Sequence, residues 1–218
     1  MAQIFSPGAD IWLRIAMIAA AASVVGLLVV GGGVVRSDYM TRQDVVREQP
    51  VPFSHQHHVA GLGLDCRYCH TSVEESATAG FPPTHTCMTC HSQIWTDAPL
   101  LEPVRKSLAT GTPLRWTWVN KLPQFVYFNH SIHVAKGVGC VTCHGRVDTM
   151  PLMRRAQPLL MQWCLDCHRN PAPNLRPREA VFDMTWTPPA DAEAFGKTLV
   201  ERYHIDVGNL THCYICHR

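Results

Sequence analysis

Apolar positions in this chain form one long run, followed by short groups with no sustained period. From Ile15 to Val35 the sequence reads IAMIAAAASVVGLLVVGGGVV, 21 residues without a charge. As a helix, at 1.5 Å per residue, that run reaches about 30 Å, enough to cross the hydrocarbon layer of a bilayer. Trp12 and Arg14 flank one end and Arg36 and Tyr39 the other, as interfacial anchors do. The rival reading is a cleaved secretory signal, for which Ala19–Ser23 offers small residues. Apolar residues continue well past that point, which suits a span better than a signal core. Ala19 with Ser23, and Ala22 with Gly26, have the small-xxx-small spacing that lets a second helix approach closely, although plain alanine filler reads the same.

Beyond the run the pattern weakens. Residues 37–52, with TRQDVVRE among them, read as a solvated linker. LLEPVRKSL predicts a short helix with Pro103 tolerated in its first turn. RWTWV at Arg115–Val119 alternates like a strand, with Trp116 and Trp118 as packing residues. Ala190–Tyr203 predicts a further helix, whereas N-P-A-P, R-P-R and W-T-P-P between 169 and 212 favour turns and extended chain. Charged residues make up only 17% and the formal net charge is +2, without an interleaved basic and aromatic patch. That balance gives no case for nucleic acid and little long-range steering of charged partners.

The cysteines change the picture. All ten lie in five copies of C-x-x-C-H: Cys66/Cys69/His70, Cys87/Cys90/His91, Cys140/Cys143/His144, Cys164/Cys167/His168 and Cys213/Cys216/His217. This is the attachment signature of c-type haem, in which two thiols form thioethers and the adjacent imidazole ligates the iron. Zinc sites built from two C-x-x-C pairs would leave one of five pairs unmatched. A redox dithiol needs one such motif, and disulfides would not explain a histidine after every second cysteine. The pattern therefore predicts five covalent haems. Residues 36–218 then provide about 37 residues per haem, too few for a large apolar core of their own. The porphyrins are expected to be the core, and the chain without them is expected not to fold. Because haem is attached on the outer side of the bacterial membrane, the expected topology is a single pass with the N-terminus inside.

The chain also contains a duplication. FSHQHHVAGLGLDCRYCH (Phe53 to His70) matches FNHSIHVAKGVGCVTCH (Phe128 to His144), and each is followed by a second motif. The expected organisation is an anchor at 1–36, a linker at 37–52, diheme units at 53–91 and 128–168, an insert at 92–127, and an extension at 169–218 bearing the fifth haem. The repeated histidines suit second, distal ligands. His55 and His58, three apart on a helical turn, can reach two different irons, and His130 and His133 repeat this. His57 is the candidate for the fifth distal position, with Met161 and Met150 as alternatives. A thioether there would raise that haem's potential. His85, His204 and His212 read as ordinary histidines, and Glu74 and Glu75 as a solvated acidic turn able to tune nearby potentials.

On FSHQHHVAGLGLDCRYCHTSVEESA, CMTCHSQIWTDAPLLEPVR, FVYFNHSIHVAKGVGCVTCHGRVD and CLDCHRNP, with the N-terminal span and the terminal CYICHR, the chain resembles the pentahaem membrane-anchored cytochrome c subunit of bacterial alternative complex III. It is more distantly similar to class III multihaem cytochromes. The resemblance implies a mostly irregular and α-helical multihaem cytochrome c fold, with a haem-packed core of closely stacked, mainly bis-histidine haems. Few short helices, little β-structure and one N-terminal transmembrane helix go with it. It also implies partners: integral menaquinol-oxidising subunits, an iron–sulfur subunit, a monohaem cytochrome c subunit, and an outside acceptor such as a cytochrome c, a copper protein or an oxidase. Such a chain carries electrons and has no catalytic residues of its own. The competing class is a stand-alone membrane-anchored quinol dehydrogenase, or a reductase with one open haem site, for which Asp38, Tyr39 and Asp44 are the candidate proton acceptors.

Overall fold

The long apolar run folds as one helix. In the computed structural model, which describes Ser6 and residues 8–217, α1 spans Ala9–Arg36 and buries no residue. Residues 1–5 and 7 of the expected anchor segment lie outside the described residues. Near its start Arg14 pairs with Asp10 at 3.0 Å, and near its end an Arg36 guanidinium N–H donates to the Gly32 carbonyl. Ser23, its one hydroxyl, donates back to the Ala19 carbonyl at 2.7 Å. Every polar group along the apolar stretch is thus satisfied within the helix, the condition a lipid surrounding imposes. By length and composition α1 can cross a membrane. The short α2, Asp38–Thr41, ends this unit at Arg42, whose φ of 56° is left-handed.

The second unit, from Gln43 onward, is helical and irregular. Its helices are α3 (Cys66–Cys69), α4 (Thr84–His91), α5 (Glu102–Thr110), α6 (His130–Ala135), α7 (Cys140–His144), α8 (Met161–Arg169), α9 (Ala192–Arg202) and α10 (Cys213–Cys216). Among the described residues there is no strand, only isolated bridges at Gln43–Arg155, Val46–Arg154 and Val138–Leu175. The strand expected at Arg115–Val119 is therefore absent, and a side chain from a distant segment is the reason. Thr117 finds its backbone partners in one side chain: the Gln49 amide N–H donates to its carbonyl and the Gln49 Oε1 accepts from its N–H, both at 2.9 Å. Residues 43–49 are in turn less free than their charges suggest. The Gln43 amide donates to the Ala156 carbonyl, Arg47 to the Trp118 carbonyl, and Asp44 pairs with Arg154 at 3.0 Å.

The apolar core is divided. One cluster joins Val51, Leu101 and Val104, with Leu114 and Trp116 against it, and the other joins Leu175, Leu199 and Tyr203. Both predicted helices take part. α5 carries Pro103 in its first turn and ends on Gly111 with a left-handed φ of 66°. α9, capped by the Asp191 carboxylate accepting from the Ala194 N–H, lies on the turn Ala172–Asn174. The approach is so close that a Cβ on Gly196 would sit 1.9 Å from the Ala172 carbonyl oxygen. Because backbone opposes it, Gly196→Ala is expected to cost about 3 kcal/mol. The check is the denaturation midpoint of the haem-bearing protein, and a shift equivalent to less than about 1 kcal/mol would show that α9 can slide away.

Candidate haem-attachment and ligand sites

Every C-x-x-C-H segment lies on a helical turn, and that turn brings its three functional side chains together. In the first and last copies the histidine N–H donates to the carbonyl of the first cysteine, at 2.9 Å in each. All ten thiols are free. Before α3 the Asp65 carboxylate caps the Arg67 N–H and grips the Arg67 guanidinium, which holds its carboxyl below the usual range.

The duplicated F-x-H-x-x-H segments share one construction that the sequence alone did not disclose. Phe53 meets His55 edge-on at 4.9 Å and stacks on His58 at 4.3 Å; Phe128 meets His130 edge-on at 4.7 Å and stacks on His133 at 4.4 Å. Each phenylalanine therefore fixes both rings at once. The repeats differ by one residue between the second histidine and a left-handed glycine, Gly63 or Gly137. The first repeat absorbs the extra residue by widening: Gln56–Gly61 is a π-helical turn where the second repeat has the α-helix α6.

The histidines face one another in pairs. The ring of His58 lies 6.2 Å from that of His91, His130 lies 6.3 Å from His144, and His133 lies 6.1 Å from His168. Two imidazoles bound on opposite sides of one metal at about 2 Å per nitrogen have ring centres about 6 Å apart. His55 and His70 are electrostatic neighbours; burial, His70 and His58 push His55 down to about 4. His144 is also pushed down to about 4, by burial and then by His130, His70 and His55. Both rings are thereby held neutral, the form that binds a metal.

The other nitrogen of most of these rings is tied down. Nδ1 reaches a backbone carbonyl in His58 (Ser54, 2.8 Å), His70 (Gly80, 2.8 Å), His91 (Ile94, 3.3 Å), His130 (Ala77, 2.9 Å) and His133 (Asn129, 2.7 Å). His168 does the same with Leu210 at 2.9 Å and His217 with Phe125 at 3.0 Å. A carbonyl can only accept, so Nδ1 carries the proton and Nε2 offers its lone pair outward, the arrangement that orients metal-ligating histidines. His144 is held through Asn120, whose amide nitrogen stands 2.9 Å from Nδ1 while its buried Oδ1 has no partner, and His55 Nδ1 is likewise buried without one. Turning the carboxamide over exchanges the two atoms and pairs Oδ1 with the imidazole N–H. The residues present therefore fit iron porphyrin: paired thiols beside an oriented imidazole, with a second imidazole opposite at the second, third and fourth motifs.

Not every candidate is drawn into this scheme. Among the described residues the ring partners of His57 are His58 and Trp95, at 5.3 and 5.9 Å, while the ring beside His217 is Phe125. Met150 is buried with its terminal methyl near Gly145, and Met161 is largely exposed. His85 and His204 are exposed, and His212 Nδ1 faces only the Tyr214 hydroxyl at 3.4 Å. Tyr39 is exposed, and Glu74 approaches Arg67 at 3.9 Å. Sequence reasoning missed Phe53, Phe128 and Asn120. The repeated F-x-H-x-x-H carried the first two as a signal, whereas Asn120 lies 24 residues from its histidine with nothing to mark it.

A mostly helical and irregular body with cysteine pairs beside oriented histidines is consistent with a multihaem cytochrome c, here with one candidate membrane anchor. Over 99 residues the chain is 34% identical to the multiheme cytochrome c subunit of menaquinone reductase from Nitratidesulfovibrio vulgaris (strain Hildenborough), an overlap of 45% of this chain and 46% of that protein. The chain thus spans about half the length of the curated relative it matches. No protein-family model matches the chain.

Proposed function

We propose that this chain is a pentahaem electron relay, anchored by α1 with its haem-bearing part on the outer face of the bacterial cytoplasmic membrane. It would exchange electrons between a quinone-reactive membrane partner and a second protein. Bound haem would supply reversible one-electron chemistry at iron. The ten cysteines would attach the haems, and His70, His91, His144, His168 and His217 would be the near ligands. His55, His58, His130 and His133 would be the far ligands opposite His70, His91, His144 and His168 respectively. The observation that carries this reading is the pairing of histidine rings at 6.1 to 6.3 Å with their Nδ1 protons directed to fixed acceptors. For the fifth iron the second ligand is proposed from the sequence as His57, with Met161 or Met150 as the thioether alternatives.

Two directions of flow are consistent with the relay. Resemblance to alternative complex III favours menaquinol oxidation, with membrane, iron–sulfur and monohaem cytochrome partners and a downstream acceptor. The name of the relative favours delivery of electrons to menaquinone. The test is intact mass and low-temperature electron paramagnetic resonance on the purified chain. Five haem adducts with low-spin iron are expected, and fewer adducts or a bare metal on the thiols would defeat the proposal. Quinol-dependent haem reduction at full rate by the isolated chain would instead favour the stand-alone quinol dehydrogenase.

Asn120 gives a narrower check. Asn120→Ala removes the acceptor that makes His144 a stronger donor, so the midpoint potential of one haem is expected to rise while the other four hold. Unchanged potentials throughout would show that Asn120 does not orient His144.

A further inference from the structure

We infer that the five attachment motifs lie in single file in the order second, first, third, fourth, fifth, so that the chain's electrons enter and leave at the second and fifth. The inference rests on each motif carrying a haem. Sequence order would join the first diheme unit to the second through motifs two and three. The contacts join them through motifs one and three.

Each neighbour relation has its own bonds. Between the second and first motifs, the Tyr68 hydroxyl of α3 meets the Thr89 hydroxyl of α4 at 2.9 Å, and the π-helical turn places His58 opposite His91 while His55 neighbours His70. Between the first and third, the Cys66 and Cys140 thiols are close enough to interact. The segment after His70 then clasps α6: His130 donates to the Ala77 carbonyl through both its ring and its backbone N–H, and the Ser131 N–H donates to Ser76. Residues 181 and 182 brace the same junction, Val181 accepting from the Cys140 N–H while the Phe182 ring lies 4.5 Å under the Arg67 guanidinium. Between the third and fourth, α6 presents His130 to His144 and His133 to His168, and the Cys143 thiol neighbours Cys167 and Cys164. Between the fourth and fifth, His168 donates to the Leu210 carbonyl just ahead of α10, and Cys164 neighbours Cys216.

The ends are marked independently. Eight of the ten cysteines are half-buried, and the two exposed ones are Cys90 in the second motif and Cys213 in the fifth. Among the described residues no hydrogen bond or ring contact joins the second motif's residues to those of the third, fourth or fifth. Each sulfur marks where a porphyrin edge would be tied, so neighbouring thiols at Cys66 and Cys140, with the clasp of residues 76 and 77 on α6, bring two edges together and make the first–third step the link between the duplicated units.

The test uses the complete haem-bearing chain. Iron-edge anomalous diffraction would give the metal positions, each assigned by its own cysteine sulfurs. The iron of the first motif is expected to be the closest of its unit to the third. A closest approach by the second motif's iron would overturn the order, whereas fewer than five irons would defeat the haem reading beneath it. Two variants give a readout in solution. Cys66→Ala/Cys69→Ala should leave one haem magnetically isolated, with an uncoupled paramagnetic signal, and Cys87→Ala/Cys90→Ala should isolate none. The reverse pair of results would establish sequence order and refute the proposal.

Discussion

Made without haem attachment, the chain is expected to stay unfolded and to be cut throughout by protease. From residue 43 onward only twelve large or small hydrophobic side chains are buried among those described, and of the larger ones only Val104, Met150, Leu175, Val181 and Leu199 are almost wholly enclosed. Six of the twelve form two small clusters that lie apart in sequence and include no strand ladder. A unit of this length ordinarily encloses most of the surface its unfolded chain exposes. Here Trp95, Phe125, Ile132, Met161 and Tyr214 remain more than half exposed, which leaves too little burial to offset the conformational entropy of ordering the chain. Covalent haem would supply the missing apolar interior, so attachment and folding would be one event. The measurement is circular dichroism with limited proteolysis on chain produced without the attachment machinery. A cooperative thermal transition in that material would show that the polypeptide has a sufficient core of its own.

His133→Ala is expected to turn one of the five proposed haems high-spin and able to bind carbon monoxide, while leaving four unchanged. The ring it removes lies 6.1 Å from His168, is stacked on Phe128 at 4.4 Å, and is oriented by its proton on the Asn129 carbonyl. Those restraints leave no neighbouring imidazole to take its place, because His130 faces His144. In the proposed order the fourth site lies between the third and the fifth, so this single change would also slow passage to the fifth motif. His133→Met should keep the iron six-coordinate and raise its potential instead, since a thioether favours the reduced metal. Exposed His85 serves as the control, and its replacement by alanine should leave spin state and carbon monoxide uptake as they were. Five low-spin irons in the His133→Ala protein would refute the assignment of His133.

How far these residues could be read in advance follows the range over which each interaction acts. The membrane-length helix, the helix at Glu102–Thr110 with its proline in the first turn and that at Ala192–Arg202 are decided by neighbours within a few residues. So are the five C-x-x-C-H turns, whose backbone hydrogen bonds close within a few residues. The strand expected at Arg115–Val119 failed because strands need a partner, and the partner here is a glutamine side chain 68 residues away. The widened turn at Gln56–Gly61 was visible only as one extra residue in a repeat.

The sequence by itself singled out the cysteines and histidines proposed to carry the chemistry, since contiguous pentapeptides and a repeated spacing set them apart. Only the tertiary structure decided which histidine faces which motif, which carbonyls at 77, 80, 94, 125 and 210 hold the rings, and that Cys66 meets Cys140 across 74 residues of chain. Those are contacts between distant segments, fixed by packing and by the direction a turn gives a side chain, and no local pattern encodes them.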